Sequence, residues 1–206
     1  MRRTLLRSLA IAGCIVCGVA IVAAAHDDDQ RKHHPKKTYQ TVNIFQFGNP
    51  SVKLGGAATL YRSRNRLEMR VATSGLDANS AYTVWWVLFN NPDGCTPPGC
   101  GLDDVVPQPN PAAGVSVFYA AGFVTGVDGV GNVDAYADAG PLPEGIDIET
   151  GEGLDRGNGF HAEVHLVVRA HGVITPGQVD QQIGSFNGGC APTCGNRQAA
   201  VFMPVH

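Results

Sequence analysis

Beyond residue 38 the chain alternates between apolar and polar residues with a period of two. The pattern runs through 39-TYQTVNIFQF-48 as far as Phe47, and through 66-RLEMRVATS-74, 115-VSVFYAAGFV-124, 133-VDAYADA-139 and 160-FHAEVHLVVRA-170. Successive side chains on a strand point to opposite faces, so each run predicts a strand with one apolar face. Two more candidates, 182-QIGSFN-187 and 198-QAAVFMP-204, bring the expected total to eight to ten strands, and no window carries a helical stripe. At 126-GVDGVGN-132, Asp128 and Gly129 supply residues tolerant of positive φ between two strand-like runs, which predicts a hairpin. The expected fold class is all-β, an antiparallel β-sandwich with Ig-like or jelly-roll connectivity.

The run 81-AYTVWWVLF-89 breaks the alternation. Tyr82, Val84, Trp86 and Leu88 face one way and Thr83, Trp85, Val87 and Phe89 the other, so both faces are apolar and both need cover. The Pro-rich insertion 91-NPDGCTPPGCGLDDVVPQPNPAAG-114 is the candidate cover. The alternative is a partner: an exposed Trp85 or Trp86 would stack on a glycan or enter a protein interface.

The start of the chain changes the compartment. Arg2, Arg3 and Arg7 precede an uncharged run ending at Ala25, which predicts a secretory signal peptide over 1–25 with Ala23 and Ala25 at the cleavage site. An uncleaved anchor and a lipobox around Cys14 are the alternatives. Removing 1–25 takes away three arginines and leaves twelve basic against eighteen acidic residues, a formal charge of −6. That balance argues against nucleic acid and anionic membrane surfaces. Residues 26–38 are charged and nearly devoid of apolar side chains, which predicts a flexible leader before a single domain over 39–206. A free His26 amine would also be a copper chelator of the histidine-brace type. No later segment resembles a membrane span.

The four remaining cysteines fall into two tight groups, 95-CTPPGC-100 and 190-CAPTC-194. In an oxidising compartment Cys95, Cys100, Cys190 and Cys194 form two disulfides, paired locally or across the two loops. Four thiolates around zinc is the other arrangement.

Candidate chemistry concentrates in 159-GFHAEVHLVVRAHG-172. As a strand it lines Ala162, Val164, Leu166, Val168 and Ala170 on one face and His161, Glu163, His165, Val167, Arg169 and His171 on the other. At about 3.3 Å per residue, His161 and His165 stand roughly 13 Å apart, too far to share a metal as a helical i,i+4 pair would. Neighbouring pairs at about 6.6 Å, His161 with Glu163 or Glu163 with His165, could hold copper or zinc with a group from an adjacent strand. The plainer expectation is a face of hydrogen-bonded or solvated polar residues, with Glu163 paired to Arg169 or to a cross-strand cation. A second acidic stretch, 144-EGIDIETGEGLD-155, spaces Glu144, Asp147, Glu149, Glu152 and Asp155 with glycines, as a solvated loop or a calcium site. No nucleophile elbow, phosphate loop or dinucleotide fingerprint occurs, which removes support for most enzymatic readings.

The phrases 75-GLDANSAYTVWWV-87 and 159-GFHAEVHLVVRAHG-172 resemble those of secreted bacterial β-sandwich proteins, and the first is similar to strands of chordin-type repeats. Gly159-Phe160-His161 resembles the copper-ligand strand of copper/zinc superoxide dismutases, although Glu163 stands where that motif has its second histidine. The resemblance implies an extracellular β-sandwich and transfers no catalytic residue. The expected function is an exported binding or structural module. Its alternatives are a copper or zinc protein using His161, Glu163, His165 and His171, and a carbohydrate binder using Trp85 or Trp86.

Overall fold

A computed structural model describes residues 37–205. The expected signal peptide, the candidate lipobox at Cys14, His26 and the expected leader up to residue 36 lie outside the described residues. Nine strands form one antiparallel sheet: β1 (Thr38–Gln46), β2 (Asn49–Ser63), β3 (Arg66–Thr73), β4 (Ser80–Phe89), β5 (Val115–Val124), β6 (Gly131–Asp138), β7 (Ile148–Thr150), β8 (Glu163–Val173) and β9 (Gly195–Phe202). Their order is β6-β3-β2-β1-β9-β8-β4-β5-β7. The expected all-β antiparallel class is present, with strands hydrogen-bonded into a single sheet. β1 and β9 are joined through only two residue pairs, Phe45 with Ala199 and Gln46 with Gln198. Both halves of the sheet contribute to one core: Leu60, Leu67 and Met69 from one, and Tyr82, Trp86, Leu88, Val164, Leu166 and Phe202 from the other.

Four sequence expectations change. β2 was not anticipated, because 49-NPSVKLGGAATLYRS-63 dilutes its alternation with Gly55, Gly56 and small residues. Segment 182–187 is the end of a short helix, α1 (Val179–Gly184), and the bends after it, not a strand. The turn at 126–130 exists, with Gly129 at φ +63° and a Cβ there overlapping the Leu76 carbonyl oxygen. It is not a hairpin, because β5 pairs with β4 and β7 while β6 pairs with β3. The acidic stretch 144–155 is also more than loop, since Ile148–Thr150 adds an edge strand to β5.

β4 is an interior strand between β8 and β5, and every one of its ten residues is buried. Its second face belongs to a separate apolar cluster in which Trp85, Val87 and Phe89 meet Val115, Val117 and Val167. Cover comes from two clipped segments. Cys95, Cys100, Val105 and Ala113 from the Pro-rich insertion pack on this cluster, as does Phe186 beyond α1. Both disulfides are local, Cys95–Cys100 and Cys190–Cys194, which excludes cross-loop pairing and a four-thiolate zinc site in this form. Burying both faces of a strand is why its sequence loses the alternation.

Polar residues also bolt the halves together: Thr73 on β3 hydrogen-bonds Gln198 on β9, and Arg62 makes the larger set of bonds. Arg62 on β2 is 1% exposed and uses all five guanidinium hydrogens. Nε donates to Gln40 Oε1, Nη1 to the carbonyls of Gly159 and Ala162, and Nη2 to those of Phe202 and Met203. Burial pulls its pKa down to about 10 and the Glu163 charge acts the other way, so it stays protonated at neutral pH.

Candidate binding cleft and the histidine strand

β8 buries the alternating set Val164, Leu166, Val168 and Ala170 in the main core together with Ala162, as its sequence predicts. The opposite face is not wet. Glu163 is 5% exposed, Val167 9% and His171 0%, because the two clipped segments cover them. His161 departs from the expected strand geometry: it precedes β8, in an exposed turn whose amide donates to the Asn158 carbonyl.

Of the neighbouring pairs, Glu163 and His165 are hydrogen-bonded to each other. His165 Nε2–H donates to Glu163 Oε1 at 2.7 Å, and its ring packs on Phe89 with centroids 4.9 Å apart. Directly across the sheet stand Phe89 opposite Glu163, and Val87 and Val201 opposite His165. These neighbours are apolar, and among the described residues no third metal ligand joins the pair. Arg169 does not partner Glu163. It lies over the Phe186 ring at 4.0 Å and donates to the Phe186 carbonyl, Asn187 Oδ1 and Asn196 Oδ1, tying down the segment after α1.

Glu163 opens on its other side into a cleft of about 590 Å³, lined by Asn90, Asn91, Asp93, Asn158, His161, Met203 and Pro204 among others. Its walls are built before any ligand arrives. Asn90 Nδ2 donates to the carbonyls of Gly114 and Gly153, Asn158 Nδ2 to the Asn90 carbonyl, and Asn91 Nδ2 to that of Ala112. The side-chain amide donors of Asn90 and Asn158 are thus spent on the loops, as is one N–H of Asn91. The carboxylates of Glu163 and Asp93 and the Oδ1 atoms of Asn91 and Asn158 remain as acceptors. Arg62 braces the floor through Gly159 and Ala162, on either side of His161.

The loop wall has its own buried organiser. Asp104 is 0% exposed and accepts from Thr96 N, Gly101 N and Asn110 Nδ2. Burial pushes its carboxyl up, but those hydrogen bonds outweigh it and leave it below the ordinary value.

The other expected sites fare differently. Trp85 and Trp86 are 1% and 0% exposed, so neither indole presents a face to a glycan. The carboxylates of 144–155 do not converge as a three-ligand group among the described residues, and Asp147 Oδ2 instead accepts from the Phe186 amide. His171 stands apart from Glu163 and His165. It meets Cys190 and Cys194, and these three are the one group of metal-capable side chains within mutual reach among the described residues. Burial holds its pKa below the ordinary value, with the Gly188 carbonyl acting the other way. No signal in the sequence joined His171 to the 190–194 loop, and none marked Arg62, Asp93 or Asn158. Compared with known protein families and with curated proteins, the chain matches none.

Proposed function

We propose that this chain is an exported, disulfide-clipped binding module whose ligand occupies the cleft between the loop at 90–100, the turn at 158–163 and the tail at 203–204. The observation that carries this is Glu163, a carboxylate 5% exposed that is held by His165 on one oxygen and lines the cleft. Burying a carboxylate costs several kcal/mol unless it is compensated, and here His165 and the nearby Arg62 charge compensate it. An acceptor-rich cleft selects a ligand rich in donors, so the expected class is a small polyol or amine rather than a phosphate or a carboxylic acid. Two disulfides in a chain of this size and the hydrophobic N-terminal run support export.

The test is thermal unfolding of the mature chain against polyols, neutral sugars, amino sugars and polyamines. A ligand binding at a hundred times its Kd adds about 2.7 kcal/mol of stability. The expected result is a raised Tm for at least one class, lost in Glu163→Gln. No shift from any class, or a shift equal in the variant, rejects the cleft.

A further inference from the structure

Away from the cleft, the 190–194 disulfide sits on a buried histidine. His171 Nδ1 is 2.9 Å from the Gly188 carbonyl oxygen and 3.2 Å from Cys194 Sγ. A carbonyl only accepts, so Nδ1 carries the proton, and the neutral ring offers its Nε2 lone pair to Thr83 Oγ1 at 3.0 Å. Thr83 in turn accepts from Trp85 Nε1–H at 2.8 Å, which leaves its hydroxyl hydrogen for His171. The relay fixes the tautomer, and the single Nδ1–H is shared between the Gly188 carbonyl oxygen and the Cys194 sulfur.

The other sulfur has the opposite environment. Cys190 Sγ lies 3.1 Å from the Asn187 carbonyl oxygen, which suits a thiol hydrogen and disfavours a thiolate. The disulfide has no hydrogen to give that carbonyl. The two sulfurs are therefore placed for the reduced pair, with a thiol at Cys190 and a thiolate at Cys194. The backbone holds them there. Ala191 N donates to the His171 carbonyl at 2.8 Å, and Gly172, at φ +89°, lets the loop sit where a Cβ would overlap the Ala191 carbonyl oxygen. Both cysteines are half-buried, while His171 is fully buried.

We propose that Cys190–Cys194 is a thiol–disulfide exchange site in which His171 Nδ1–H stabilises Cys194 as the departing thiolate. The co-reactant is a thiol. Its thiolate attacks Cys190 Sγ, a new S–S bond forms there, and the Cys190–Cys194 bond breaks with its electron pair going to Cys194. A second thiolate then attacks the co-reactant sulfur of the mixed disulfide and frees Cys190, which takes a proton from solvent. Two electrons reduce the protein disulfide and two thiols become one disulfide. The leaving thiolate's stability sets the rate of the first step.

The molecule carries its own control, since among the described residues Cys95–Cys100 has no histidine hydrogen-bond partner. The experiment exposes the folded mature chain to glutathione at pH 7, quenches aliquots with iodoacetamide and counts each opened pair by peptide mass spectrometry. The expected result is that Cys190–Cys194 opens at least about tenfold faster than Cys95–Cys100, and that His171→Gln removes most of that advantage while Cys95–Cys100 is unchanged. A second measurement needs no variant: in the reduced natural chain, iodoacetamide labels Cys194 faster than Cys190. Equal opening rates, an undiminished rate in folded His171→Gln, or faster labelling of Cys190 overturns the proposal.

Discussion

Arg62 is where the fold and the cleft depend on the same side chain, so its removal is informative. Arg62→Met keeps the length of the stem and deletes the guanidinium, leaving the Gly159, Ala162, Phe202 and Met203 carbonyls without their donor. Each buried acceptor left unsatisfied costs about 1–3 kcal/mol, offset by the relief of burying a charge, and breaking one side of a buried charged network costs about 3–5 kcal/mol in total. With a urea m-value of about 2 kcal/mol/M, the midpoint should fall by about 1.5–2.5 M. Arg62→Lys keeps the charge with three donors in place of five, so its midpoint should lie between the two. The assay is urea unfolding followed by tryptophan fluorescence, which both buried indoles report. A loss below about 1 kcal/mol for Arg62→Met, or a lysine variant as stable as the natural chain, would refute the bolt.

Three further outcomes follow from other parts of the molecule. Replacing Cys95 and Cys100 together by serine should cost about 2 kcal/mol by the loop-entropy relation for so short a ring, measured by calorimetry. Gly172→Ala should cost more than about 2 kcal/mol, because its positive φ and the Ala191 carbonyl leave no room for a Cβ, whereas alanine at the open Gly184 should be nearly neutral. His171 binds a proton less readily folded than unfolded, so its contribution is full above about pH 6.5 and stability is lost as pH falls below that value towards its lower folded pKa; this part of the acid loss should vanish in His171→Gln.

Local pattern and long-range placement differed in how far the chain disclosed them. Alternation located most strands because one buried face imposes a period of two, and the doubly apolar β4 announced that something must cover its second face. The clipped insertion does so through Cys95, Cys100 and Val105. β2 stayed hidden because Gly55 and Gly56 weaken the pattern at its bulged middle, and α1 is too short to show a helical stripe. Pairing was illegible: Asp128-Gly129 looks the same whether its flanking strands pair or part to different neighbours. The Glu163–His165 bond was readable, since residues two apart share a strand face. The cleft was not, because Arg62 meets carbonyls 97 to 141 residues away. Nor was the covered face of β8, whose polar letters suggest solvent until the segments over them are placed.

The proposed binding role is tested most directly by mapping amide chemical shifts of the isotopically labelled chain from residue 26 onward against polyol and amine ligands. The account predicts saturable changes confined to Asn90, Asn91, Asp93, Asn158, His161 and Glu163, abolished by Glu163→Gln. Changes centred elsewhere on the described surface, or none with any ligand of these classes, would contradict it.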